Sequence, residues 1–215
     1  MRTTVFLVLF LPVCLTAQKE SGIPFFTLKT NVSALLNPIK QAWTISGDLR
    51  LTPEFSADIG AGTFLGSPLQ FAQRKGESYK GLRLRAGLKY YLIQRNRYAF
   101  HVGLEGKYHD IKHITIRQVL RQGQQYLEIL PVERTLQTYG VAGRSGWQFY
   151  LGTNKRLLLE PYLGFGIATH QVRRILPSDA ELFDGEEGFL SFEYEQGKSV
   201  WPDILLGVYL GVALW

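Results

Sequence analysis

The stretch Gly81-Leu82-Arg83-Leu84-Arg85-Ala86-Gly87-Leu88-Lys89-Tyr90 decides the fold. Leu82, Leu84, Ala86, Leu88 and Tyr90 alternate strictly with Arg83, Arg85, Gly87 and Lys89. A repeat of two puts successive side chains on opposite faces of a sheet, whereas a helix needs a repeat of about 3.6. The segment therefore predicts a strand with one apolar face and one basic face.

The same pattern recurs along the chain. Phe100, Val102 and Leu104 oppose His101, Gly103, Glu105 and Lys107, and Trp43, Ile45 and Leu49 oppose Thr44, Ser46, Asp48 and Arg50. Eight segments show it, at residues 26–35, 43–51, 55–64, 81–92, 98–109, 138–149, 157–170 and 203–215. No Asp, Glu, Lys or Arg lies on the apolar faces, although Leu35, Leu158 and Leu205 fall on the polar ones. This predicts an all-β fold, an eight-stranded antiparallel barrel of up-and-down topology.

Which face lines the lumen follows from volume. Eight strands leave an interior just wide enough for side chains to fill. Trp43, Trp147, Phe149 and Phe165 with all their apolar companions would overfill it. The other face carries Gly60, Gly62, Gly87, Gly103, Gly164, Gly166, Gly207 and Gly211, which suits a crowded interior. The apolar face is thus expected to point outward, making the barrel a transmembrane one.

Connection lengths are expected to alternate as in membrane barrels, with short turns at 52–54, 94–97 and 152–154 and longer connections at 65–80, 110–137 and 171–202. Aromatic residues are expected in two interfacial belts. Phe26, Phe55, Tyr90, Tyr98, Trp147 and Phe149 form one, and Trp43, Phe64, Tyr79, Tyr108, Tyr139 and Trp201 the other.

The ends and the composition give the compartment. Met1-Arg2-Thr3-Thr4, an apolar run over residues 5–15 and Thr16-Ala17-Gln18 read as a secretory signal, residues 1–17, cleaved after Ala17. Val13 stands before Cys14 where a lipobox would carry a small residue. With Cys14 gone, disulfides and thiolate chemistry are excluded. Residues 18–25 would form a short periplasmic segment and 26–215 the barrel with its extracellular loops. The chain carries 24 Lys and Arg against 18 Asp and Glu, a net charge of +6. An exported protein rarely meets nucleic acid, so the excess points to the anionic phosphates of lipopolysaccharide, or simply to solubility.

The last stretch, Pro202-Asp203-Ile204-Leu205-Leu206-Gly207-Val208-Tyr209-Leu210-Gly211-Val212-Ala213-Leu214-Trp215, resembles the terminal signal read by barrel-assembly machinery, with Trp215 out of phase. Leu28-Lys29-Thr30-Asn31 and Phe55-Ser56-Ala57-Asp58-Ile59-Gly60-Ala61-Gly62 resemble small bacterial outer-membrane barrel families, with the OmpA and OmpX barrels as structural relatives. The resemblance implies a Gram-negative outer-membrane location with periplasmic termini, and brings no catalytic residues or cofactor.

The lumen is expected to hold Lys29, Asp48, Arg50, Asp58, Arg83, Arg85, Lys89, Glu105, Lys107, Arg144, Glu160 and Asp203, with His101 and His170. Buried charges must be paired, so a salt-bridge network plugging the barrel is the expectation, with a narrow pore as the alternative. A lipid A-modifying enzyme is the other alternative, and it needs a hydroxyl nucleophile beside a histidine and a carboxylate. His101 and Glu105, four apart on one strand, stand about 13 Å apart and cannot touch, at ~3.3 Å per residue. His109 and His113 likewise cannot share a metal. Residues 60–66 lack the Lys-Ser/Thr ending of a phosphate loop.

Two outer loops are candidate binding surfaces for a partner protein. Residues 114–120 and 125–132 flank Arg121-Gln122-Gly123-Gln124, a hairpin turn that would raise a ribbon carrying Lys112, Arg117 and Arg121, with a free edge for a partner strand. The last loop carries Asp179, Glu181, Asp184, Glu186 and Glu187. These suit Ca²⁺ in chemistry but not in spacing, and a solvated acidic loop facing the basic ribbon is the simpler reading.

Overall fold

The computed structural model describes residues 24–36, 41–66, 78–121, 126–177, 180–182 and 197–214. The signal at 1–17, the hairpin turn at 122–124, Asp179, Asp184, Glu186, Glu187 and Trp215 lie outside the described residues.

The strands are β1 (Phe26–Asn31), β2 (Gln41–Arg50), β3 (Phe55–Gly66), β4 (Ser78–Gln94), β5 (Tyr98–Arg121), β6 (Tyr126–Leu151), β7 (Leu157–Ile175), β8 (Ala180–Leu182) and β9 (Gly197–Leu214), with one short helix, α1 (Val32–Leu35). Each of β1 to β6 pairs antiparallel with the next, β7 pairs with β9 and β9 with β1, closing a ring of eight strands. The fold is thus all-β and antiparallel, as the alternation predicts. Among the described residues, no helix is long and apolar enough to cross a membrane.

Some local expectations are sharpened and two are corrected, the end of the first strand and the place of Phe64. The first strand stops at Asn31, whose side chain accepts the Ala34 amide at 3.0 Å and caps α1, so residues 32–35 turn inward as helix. The ribbon expected over residues 114–132 joins the ring directly: outside the undescribed turn, residues 110–137 are strand, and β5 and β6 stay paired without a register break from Tyr98↔Phe149 to Arg121↔Tyr126. Phe64, expected in an aromatic belt, is buried inside the ring with Ala34, Ala42, Ile111, Leu136 and Val172. It is in phase with Asp58 and Gly60, not with Phe55 and Ile59.

Leu158 and Leu205, which the pattern puts on the polar face, do point inward. Leu158 packs with Tyr150 and Ala213, and Leu205 with Ala142, Tyr162 and Tyr209. They are filling, since apolar layers interrupt the polar interior at several heights. One end of the ring is closed by short connections at 51–54, 95–97 and 152–156, here the turn end. At the other, the ribbon end, β5 and β6 run on past their neighbours, and β8 adds to the β5 edge through Val119↔Leu182, Leu120↔Glu181 and Arg121↔Ala180. The chain itself thus takes part of the edge that the sequence offers to a partner strand.

Candidate functional site

Strand parity delivers the charges to one place. Lys29 from β1, Asp48 from β2, Asp58 from β3, Arg85 and Lys89 from β4, Glu105 from β5, Arg144 from β6 and Glu160 from β7 all point inward and are buried. Lys29 donates to Asp48 (3.0 Å), Asp58 (2.7 Å) and Glu160 (3.0 Å). Lys89 donates to Asp48 at 2.5 Å and Glu160 at 2.9 Å. Arg85 reaches Asp58 at 2.5 Å and Glu105 at 3.2 Å, and Arg144 reaches Glu105 at 2.7 Å. Four cations thus face four carboxylates, and the core of the network is formally neutral. That balance matters because an ion taken from water into a low-dielectric interior costs several kcal/mol unless its partners surround it, by order of magnitude.

Neutral groups complete the bonding. Gln148 donates to Glu160 at 3.1 Å, and Tyr150 donates to the Gln148 carbonyl at 3.1 Å. The Arg85 guanidinium donates to the Tyr209 hydroxyl and lies over its ring, 4.5 Å from the centroid. Tyr209 stacks on Tyr162 with centroids 4.8 Å apart, and Tyr162 accepts from Asn31 at 2.8 Å. None of these tyrosines or amides was singled out in the sequence, although parity marks them: Tyr209 is in phase with Asp203, Tyr162 with Glu160 and Gln148 with Arg144.

The remaining expected lumen residues lie around these eight charges. Lys107 pairs with Asp203 at 2.5 Å. Arg50 is buried and lies over the Tyr91 ring at 3.5 Å. Arg83 sits nearer the ribbon end and forms no described ion pair. His170 bonds Thr138 at 2.9 Å through Nδ1, and His101 bonds Glu160 at 3.1 Å through Nε2. His101 therefore has a carboxylate on another strand, as a catalytic histidine would, but among the described residues no serine or threonine hydroxyl bonds it. No cluster of His, Cys, Asp or Glu suited to a metal occurs among the described residues.

Of the ribbon cations, Lys112 is two-thirds exposed on the outer face and stands 4.0 Å from Glu133, while Arg121 pairs with Glu128 at 3.1 Å. Arg117 lies on β5, and Glu181 on β8 is the register partner of Leu120; their side chains lie outside the described residues. Lys112 thus meets an acid of its own ribbon.

Glycines make room for this interior. A Cβ on Gly60 would stand 2.8 Å from Arg85 Nε and 3.0 Å from Ser46 Cβ, and one on Gly207 would stand 2.7 Å from Tyr162 Cζ. The guanidinium and the stacked ring occupy the space that side chains there would need. Comparisons with protein-family models, curated proteins and solved structures find no match to this chain.

Proposed function

We propose that the chain is an integral β-barrel of a bacterial outer membrane, its lumen plugged by the charged network, with a structural or surface-binding role. One observation carries the reading: the buried face of the ring holds the charges, and the solvent-facing side holds the large apolar residues. Ile59, Leu104, Phe165, Ile204 and Leu206 are 61–76% exposed, on strands all around the ring. Exposed apolar patches larger than a few hundred Å² mark a surface covered by something else, and a patch that encircles a ring suits lipid.

Aromatic pairs at both ends of the apolar surface support the same reading. Near the turn end Phe55 meets Tyr90, and Trp147 meets Tyr98, Phe100 and Phe149. Toward the ribbon end Tyr108 meets Tyr139. Tyr98 and Tyr108 on β5 are ten residues apart, about 34 Å along a strand and about 24 Å of height at a tilt of about 45°. Such barrels have an apolar band about 25 Å tall.

The plug is supported by the four-to-four balance and by the apolar clusters around Phe64 and Tyr150 at different heights of the interior. The β5–β6 ribbon with β8 on its edge is the natural surface for a binding role. Fractionation and gel mobility test the assignment. The protein should partition with outer membranes and migrate differently before and after boiling; a detergent-free soluble protein with one mobility would overturn it.

A further inference from the structure

Outside the ring, three levels of the β4–β7 surface line up. Ala86, Gly106, Val141 and Ile167 are successive register partners, and so are Leu84, Tyr108, Tyr139 and Thr169 one step nearer the ribbon end. Above them run Lys80, Lys112, Thr135 and Arg173. The lower two levels form an open apolar groove of about 1010 Å³, extended by Ile45 and Ile59. The upper level presents three exposed cations.

From this juxtaposition we propose that the outer face of β4–β7 binds a phosphate-bearing lipid, its phosphates on Lys80, Lys112 and Arg173 and an acyl chain in the groove over Gly106. The proposal rests on the membrane-barrel reading and adds to it a site and a ligand chemistry.

Gly106 marks the groove as more than a packing accident. A Cβ there would meet only the Ala86 carbonyl at 3.8 Å, so the chain's own packing does not require glycine, unlike at Gly60 or Gly207. With Ala86 beside it, the surface is lowest where an acyl chain would lie. Tyr108 and Tyr139, ring centroids 5.0 Å apart, form the rim of the groove on the side of the cations. Tyrosines hold that position at the boundary of chain and headgroup because one end of the ring is apolar and the other polar.

Charge points the same way. Asp110 and Glu133 share this face, and Glu133 stands 4.0 Å from Lys112. An exposed pair at that distance is weak, and Lys80, Arg173 and the neighbouring exposed Lys198 outnumber the two acids. The exposed turn-end residues Arg95 and Arg97 carry charge without lining this groove, which makes them an internal control.

The experiment is native mass spectrometry of the full chain refolded in detergent. Its probes are bisphosphorylated lipid A, the same lipid stripped of phosphate, and phosphatidylcholine. Wild type should retain the bisphosphorylated lipid preferentially. The double substitution Lys112→Gln with Arg173→Gln should weaken that by about thirtyfold, taking each cation near a lipid surface at its usual strength. Arg95→Gln with Arg97→Gln should leave it unchanged, and Gly106→Leu should weaken it by filling the groove.

Equal retention of all three lipids, no effect of the Lys112 and Arg173 changes, or a second copy of the chain in place of lipid would each overturn the site. Gel mobility of the same samples separates the two levels of failure. A heat-shifting protein that does not discriminate lipids loses the site and keeps the barrel, and a protein with no shift loses both.

Discussion

Lys29 and Glu160, 131 positions apart on strands that are not neighbours, bond inside the ring at 3.0 Å with both side chains fully buried. Each also has other partners of opposite sign, so removing either leaves an unbalanced interior. Breaking a buried pair from one side costs about 3–5 kcal/mol, because the remaining charge keeps its desolvation penalty. Lys29→Met and Glu160→Gln should each lower stability by about that much in urea unfolding from detergent micelles. The double variant should cost clearly less than the sum, since the two residues share one network. Strict additivity would show that the two charges do not depend on each other.

The same neutrality makes a prediction about conduction. If the paired charges and the Phe64 and Tyr150 clusters plug the interior as proposed, no continuous water path crosses it. Refolded protein in a planar bilayer should give no steady single-channel current. Replacing Glu105 and Arg144 together with alanine removes a 2.7 Å pair from the interior and should be the first change to produce current. Steady openings in the wild-type protein would refute the plug.

Much of this arrangement is legible in the sequence because parity is a strong constraint. A strand that places Asp58 inward must also place Gly60 and Gly62 inward, and the eight-strand ring follows from repeating that step. What the sequence hid was a set of tertiary choices. The one-turn helix after Asn31 depends on a single side-chain cap, which competes with a strand only because Ala34 finds Phe64 and Ile111 beneath it. Tyr209 looked like one more alternating residue, and only the arrival of Arg85 from 124 positions away gives it a role. Residues 114–120 and 125–132 do read as a hairpin ribbon, and what nothing local marks is that the β5–β6 ladder reaches it from the ring without a register break.

Depth dependence tests the outward face. Leu104 is 67% exposed within the apolar surface and Leu127 is 52% exposed on the ribbon beyond it. If lipid covers the first and water the second, Leu104→Arg should cost about 2–4 kcal/mol in bilayers and Leu127→Arg close to nothing. Equilibrium unfolding in vesicles reads both values, and equal small costs would count against a membrane around Leu104.

Space predicts different fates for two glycines. A methyl at Gly60 meets the Arg85 guanidinium and Ser46 in a full interior, while one at Gly106 meets open surface. Overpacking a well-filled core costs about 1–3 kcal/mol, so Gly60→Ala should destabilise by roughly that amount. Gly106→Ala should be neutral or slightly stabilising, because a strand glycine gives up backbone entropy without packing anything. Thermal melts of the two variants side by side decide it.

The docking of β8 on the ribbon can be trapped covalently. Leu120 and Glu181 are register partners, and opposed residues of an antiparallel pair have Cα atoms about 4.5–5.5 Å apart, within disulfide reach. The chain's single cysteine is Cys14, in the expected leader, so a Leu120→Cys, Glu181→Cys variant has no competing thiol once that leader is removed. Mild oxidation should cross-link it nearly completely, read as a faster-migrating band on a denaturing gel without reductant. Leu120→Cys combined with Gln171→Cys, whose register partners are Gln137 and Lys198 on the ring, should stay reduced. Equal cross-linking in both variants would mean that the segment does not hold its place on the β5 edge, and the ribbon would again offer that edge to a partner strand.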